Sequence, residues 1–147
     1  MSPAAEDLEA IRQLKARYCR LLDTKDWDGW RDVFTEDVVA VVDNAVSTGG
    51  ADGQPGPAWE GVDVFVPSVR SAVENCVTVH HVHSPEIELT SETTATGIWA
   101  MEDTVESPDG WALYGAGHYH ETYAKQDGRW RIKSNHLTRT RLKLVTS

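Results

Sequence analysis

The second half of the chain limits what the whole can fold into. Val77–Leu89, Thr93–Glu106, Trp111–Lys125 and Arg129–Leu144 are rich in β-branched and aromatic residues, which favour strands. Ser107-Pro108-Asp109-Gly110 and Gln126-Asp127-Gly128 separate the later runs, and both contain Asp-Gly, a pair suited to tight hairpins. Long strands joined by such short turns pair antiparallel with their neighbours in sequence. The first half reads differently. Leu8, Ile11, Leu14, Tyr18, Leu21 and Leu22 recur three or four apart, which predicts a helix with one apolar face. Glu6 and Asp7 stand in its first turn, where the helix dipole favours acids. A shorter helix is expected over roughly Asp26 to Phe34, with Asp26 as N-cap and Trp27, Trp30 and Phe34 as a bulky stripe. Val38 to Val42 reads as a short buried strand. Gly61 to Asn75 reads as a third helix, in which Pro67 predicts a kink or a later start. The expected class is α+β, with N-terminal helices packed on a curved antiparallel sheet.

The 147 residues fit one domain, expected over 1–147 and large enough to bury a core without disulfides. Residues 44–61 form a long loop with five glycines and two prolines. The net charge is −9 with no basic block, so nucleic acid and anionic membranes are poor partners. No apolar run reaches the roughly 18 residues of a membrane span, and Met1 to Ala10 lacks a signal core. The expectation is a cytoplasmic protein. Cys19 and Cys76 form no CxxC and no zinc pattern, and read as reduced structural cysteines. Gly115-Ala116-Gly117 follows no βα turn and is no dinucleotide fingerprint.

Several residues could carry chemistry. Tyr18 lies on the apolar helix stripe, as a core tyrosine or as a phenol donating to a substrate oxygen. Asp23, five residues on, opposes the helix dipole, either as an inter-helix residue or as a group pointing into a site. All six histidines fall between positions 80 and 136 on expected strands, and imidazole titrates where proton transfer is useful. Strict alternation puts His81 and His83 in phase with Ile87 and Leu89; a bulge near Pro85 would put His80 there instead. Asp103 shares a face with Ala95, Gly97, Trp99, Met101 and Val105, so it is either a strand-end acid in water or a buried acid with a partner. Alternation places Arg139 and Arg141 together, opposite Trp130 and Ile132, as a solvated edge face. His81/His83 and His118/His120 could hold a metal only if the two pairs converged inside a barrel, so no metal site is assigned.

The segments IRQLKARYCRLLDTKDWDGWRDVF, HHVHSPEIELTSETTATGIWAMED, GHYHETY and DGRWRI resemble the SnoaL-like branch of the NTF2-like superfamily. They cover most of the chain outside the glycine-rich loop. Within that group the pattern looks most like the bile acid 7α-dehydratases, and more distantly like scytalone dehydratases and ketosteroid isomerases. The resemblance implies a cone closed on one side by helices, with an apolar pocket; the 44–61 loop departs from the family pattern, is peculiar to this chain, and is expected to border the pocket mouth. It implies a catalytic set of Tyr18, Asp23, His80, Asp103 and Arg139, and selects His80 over His81 and Arg139 over Arg141. Ketosteroid isomerases carry their base where this chain has Val42, one position from Asp43, so that reaction is disfavoured.

The implied activity is a cofactor-independent dehydration, or a related isomerisation or cyclisation, of a steroid-like or polyketide-like hydroxy-carbonyl compound. His80 would be the base, Asp103 its partner, Tyr18 a donor, Asp23 either the group that orients Tyr18 or the acid if burial raises its pKa, and Arg139 an anion-binding group. No cofactor is called for, the partner is a hydrophobic small molecule, and a homodimer or homotrimer is usual in the family. The alternative is a non-catalytic small-molecule binding domain of the same fold.

Overall fold

The structure, a computed structural model, describes residues 1–146. Helix α1 spans Pro3–Asp23 and begins where the sequence caps it: Ser2 Oγ accepts from the Ala5 amide at 3.2 Å, and Pro3 occupies the first turn. Its buried face holds Ile11, Leu14, Tyr18, Leu21 and Leu22, and also Lys15. Helix α2 covers only Trp27–Arg31, with the Asp26 side chain accepting from Gly29 N at 3.0 Å. The expected extension to Phe34 fails because Val33 O accepts from Ile132 N at 2.8 Å, drawing the chain into the sheet. Strand β1 accordingly starts early and runs Phe34–Val46, longer than the expected 38–42. The two-residue strand β2, Trp59–Glu60, pairs back on it. Helix α3, Val62–Val73, passes through Pro67 as one helix.

Strands β3 (Val77–Leu89), β4 (Thr94–Glu106), β5 (Trp111–Gln126) and β6 (Arg129–Thr146) match the four expected runs closely. Asp127 and Gly128 both have positive φ, 52° and 77°, as a two-residue hairpin turn that follows the sheet twist requires. The curved sheet has the order β2-β1-β6-β5-β4-β3. Its single departure from antiparallel pairing is β1 beside β6, which run parallel. β1 arrives from the helices rather than from a hairpin, so nothing ties its direction to that of β6. Helices α1 and α3 cover one face, where Trp30, Phe34, Val38, Trp99, Tyr119, Tyr123 and Ile132 form the core. Residues of the 44–61 loop fold against β1, with Asn44 N donating to Gln54 O at 2.7 Å and Gly56 N to Val42 O at 3.0 Å. Cys19 and Cys76 are free and buried.

Three bulges decide which side chains enter the covered face. On β3, His83 pairs with Ala100 and Glu86 with Ile98, so β3 has one extra residue, and Ser84 there has φ 49°. His80 and Val82 are thereby in phase with Ile87 and Leu89, while His81 and His83 are exposed. On β6 the extra residues are Lys133 and Thr140. The first brings Arg139 onto the face of Trp130 and Ile132, against strict alternation. The second turns Arg141 back out.

Candidate functional site

Asp23 ends α1 and points across to β3. Its Oδ1 lies 2.7 Å from His80 Nδ1, and its Oδ2 accepts from the His80 amide at 2.8 Å. Thr78 Oγ1 donates to Oδ1 at 3.0 Å and accepts from Lys25 Nζ at 2.8 Å. Burial pushes the Asp23 carboxyl up, but the His80 ring and amide hydrogen bonds, the imidazole charge and Thr78 together hold it below the usual carboxylate range. These bonds also offset the unfavourable dipole at a helix C-terminus. An ionised acceptor at Nδ1 fixes the imidazole with its proton there and leaves Nε2 as the basic nitrogen.

Asp103 faces His80 directly across the β3–β4 ladder, yet its partner is Arg139. The two guanidinium contacts are 2.5 and 3.1 Å, and both side chains are 5% exposed. The expectation that Asp103 orients His80 is therefore corrected: Asp23 has that place, and Asp103 anchors the arginine. Likewise the Asp23 oxygens bond His80 and Thr78 rather than orienting Tyr18, and with its carboxyl held below the usual range Asp23 is not the acid that burial alone would make it. Arg139 Nε is buried with no partner among the described residues. Space for this ion pair comes from Gly115, where a Cβ would collide with both Arg139 Nη1 and Asp103 Oδ1.

Tyr18 is buried against Trp30, Phe34 and Tyr119, with ring centroids 5.6, 5.9 and 5.6 Å away. Burial raises its phenol far above the usual range, the Tyr119 hydroxyl lowers it in part, and the Glu121, Cys19 and Asp103 charges raise it further. The hydroxyl stays protonated and can only donate or accept hydrogen bonds. Tyr119 was missed at the sequence level. So was its neighbour Glu121, although an acid between Tyr119 and Tyr123 on a buried face carries the same signal as Asp103.

The five candidates thus form two linked pairs and a phenol. His80 and Asp23 keep 10% and 22% of their side-chain surface, so solvent reaches the site from their end. A separate polar cleft of about 610 Å³ lies between α2, the start of β1 and the β5–β6 turn, and none of the five lines it. Asp43 is buried and bonds His136 on the other face of the sheet at 2.6 Å. The two histidine pairs considered for a metal also project from that outer face. Opposite His118, His120 and His83 stand Ala100, Ile98 and Ala100, whereas the covered face carries Trp99 and Met101.

Comparison with known proteins agrees with this architecture. A family model described as a SnoaL-like domain matches residues 3–136. The chain is 25% identical over 149 residues to a probable cyclase from Gibberella zeae, covering 99% of each protein. A solved scytalone dehydratase-like protein from Novosphingobium aromaticivorans shares the fold with a TM-score of 0.79 at 20% identity, over 96% of this chain and 89% of that one. A hexachlorocyclohexane dehydrochlorinase from Novosphingobium barchaimii does so with a TM-score of 0.77 at 14% identity, over 97% and 92%. With the family model spanning nearly its whole length, the chain belongs to the SnoaL-like domain family, on the NTF2-like fold.

Proposed function

We propose that the chain is a cofactor-independent lyase or related isomerase or cyclase, acting by acid–base chemistry on a steroid-like or polyketide-like hydroxy-carbonyl compound. The observation that carries this reading is the His80–Asp23 dyad at the solvent-reached end of the site, 2.7 Å across. His80 Nε2 takes the proton next to the carbonyl, and Asp23 stabilises the imidazolium that forms. The C–H electron pair moves into the carbonyl as an enolate. When the enolate collapses, the C–O bond breaks, and the leaving hydroxide takes the proton from the His80 imidazolium and departs as water, which returns His80 to its neutral form. Tyr18, protonated throughout, donates to an oxygen that gains negative charge. Arg139 offers its Nε–H, which has no partner among the described residues, to a substrate oxygen, while Asp103 holds the guanidinium in place. A cyclase relative and the folds shared with a dehydratase-like protein and a dehydrochlorinase support proton abstraction followed by elimination or ring closure. The 44–61 loop, on this reading, borders the pocket mouth and sets substrate choice.

The test is a panel of hydroxylated keto-steroids and polyketide ketones, free and as CoA thioesters, followed by the ultraviolet band of a new enone. His80→Ala is expected to lower turnover roughly 10²–10⁴-fold. Turnover unchanged in His80→Ala overturns the assignment. Tight binding of panel members with no turnover by the wild type replaces it with the binding-domain reading.

A further inference from the structure

Lys15 stands on α1 one turn before Tyr18, where the helical period asks for an apolar side chain. It is 0% exposed, and its Nζ donates to Glu121 Oε2 at 2.8 Å; the Glu121 side chain is equally buried. Asn135 Nδ2 donates to the same oxygen at 2.6 Å, and Tyr123 donates to Oε1 at 2.8 Å while accepting from Trp99 Nε1 at 2.9 Å. A carboxyl group receiving three donors is a carboxylate, and a carboxylate without solvent requires a cation beside it. Lys15 is therefore an ammonium, although burial draws its pKa down against the pull of Glu121. The same nitrogen lies 3.5 Å from the Tyr18 ring centroid and 3.7 Å from that of Tyr119. A buried ion pair is often no more stabilising than an apolar pair of equal volume, so stability alone gives little reason for this arrangement.

We propose that Lys15 is a positioning residue for the two phenols. Its charge, seated against both ring faces, holds Tyr18 and Tyr119 edge to face at an interplanar angle of 74° and withdraws electron density from both rings. The Tyr18 hydroxyl becomes a stronger donor to an oxygen gaining negative charge. This rests on Tyr18 being the donor, as proposed above. The Glu121 and Asp103 carboxylates act on Tyr18 in the opposite sense, and the ammonium against its ring opposes them.

The experiment needs no substrate. 3,5-Difluorotyrosine at position 18 lowers the pH range in which the phenol ionises toward that in which Lys15 keeps its proton, and ¹⁹F NMR follows its ionisation. The neutral-pair variant Lys15→Met/Glu121→Gln is expected to raise the titration midpoint by about one unit. Lys15→Met alone is expected to raise it further, because the Glu121 charge remains; if that variant does not fold, the neutral pair decides. Loosened packing admits water and lowers the midpoint, so an unchanged or lowered value overturns the proposal. On a substrate found by the panel, the same variants are expected to lose kcat with KM held. A raised midpoint with no change in kcat would keep the electrostatic claim and reject Tyr18 as the donor.

Discussion

Asp23 has two jobs that a single substitution separates. It orients His80, and it contributes to stability through a carboxyl held below its ordinary value. An aspartate in the unfolded chain titrates near about 3.9. Because the folded value is lower, the contribution is complete above the unfolded value and is lost as pH falls through the folded one. Urea denaturation of wild type and Asp23→Asn should therefore show a stability gap that is present at about pH 5 and closes on acidification. A gap that widens at low pH would contradict the ionised pairing. The amide also presents a donor where His80 needs an acceptor at Nδ1, so it favours the wrong tautomer. Asp23→Asn is accordingly expected to reduce turnover on the true substrate by roughly 10²–10⁴-fold, comparable to the loss expected of His80→Ala.

At the level of elements, the site depends on where the strands depart from regularity. Deleting Ser84 would make β3 regular opposite β4, so that His80 and the Ile87/Leu89 pair could no longer both face inward. The expected result is loss of turnover, or loss of thermal stability if the chain keeps His80 inside and exposes the aliphatic pair; a deletion variant with both intact would refute the role of the bulge. Gly115→Ala pushes a methyl group between Asp103 and Arg139. Breaking a buried pair while leaving both charges in place costs about 3 kcal/mol or more, measurable by chemical denaturation. These irregularities also explain what the sequence did and did not disclose. The α1 stripe, the Asp127-Gly128 turn and the face that Asp103 shares with Trp99 and Met101 follow from local periodicity and turn chemistry, and were legible; whether that acid met water or a buried partner was open. Which face His80 used was open at Pro85. Arg139 was misplaced by alternation, because Lys133 and Thr140 mark their bulges with no special residue type. That His80 meets Asp23 rather than Asp103 depends on how α1 docks across β3, a tertiary fact with no local signature.

Across the whole molecule, the sheet divides the histidines between two environments. His80 alone projects toward the helices. His81, His83, His118, His120 and His136 share the outer face, as their register with Glu102, Ala100, Ile98 and one another requires. The nearest of these to a cluster is His118, His120 and His136, with successive ring centroids 6.4 Å apart, backed by Asp43 on His136. Burial draws the His120 pKa down, and its two neighbouring imidazoles draw it down further. A metal gathered by these side chains would sit with the thickness of the sheet between it and the substrate side of His80. The acid–base reading therefore makes a prediction that a histidine-bound catalytic metal does not. Turnover on a substrate found by the panel should survive exhaustive chelation with EDTA and dialysis, and added Zn²⁺ or Ni²⁺ should not raise it. Loss of activity on chelation, restored by one metal and abolished by His120→Ala, would move the chemistry to the other side of the sheet. Retained activity that still requires His80 would place the working nitrogen on the helix-covered face.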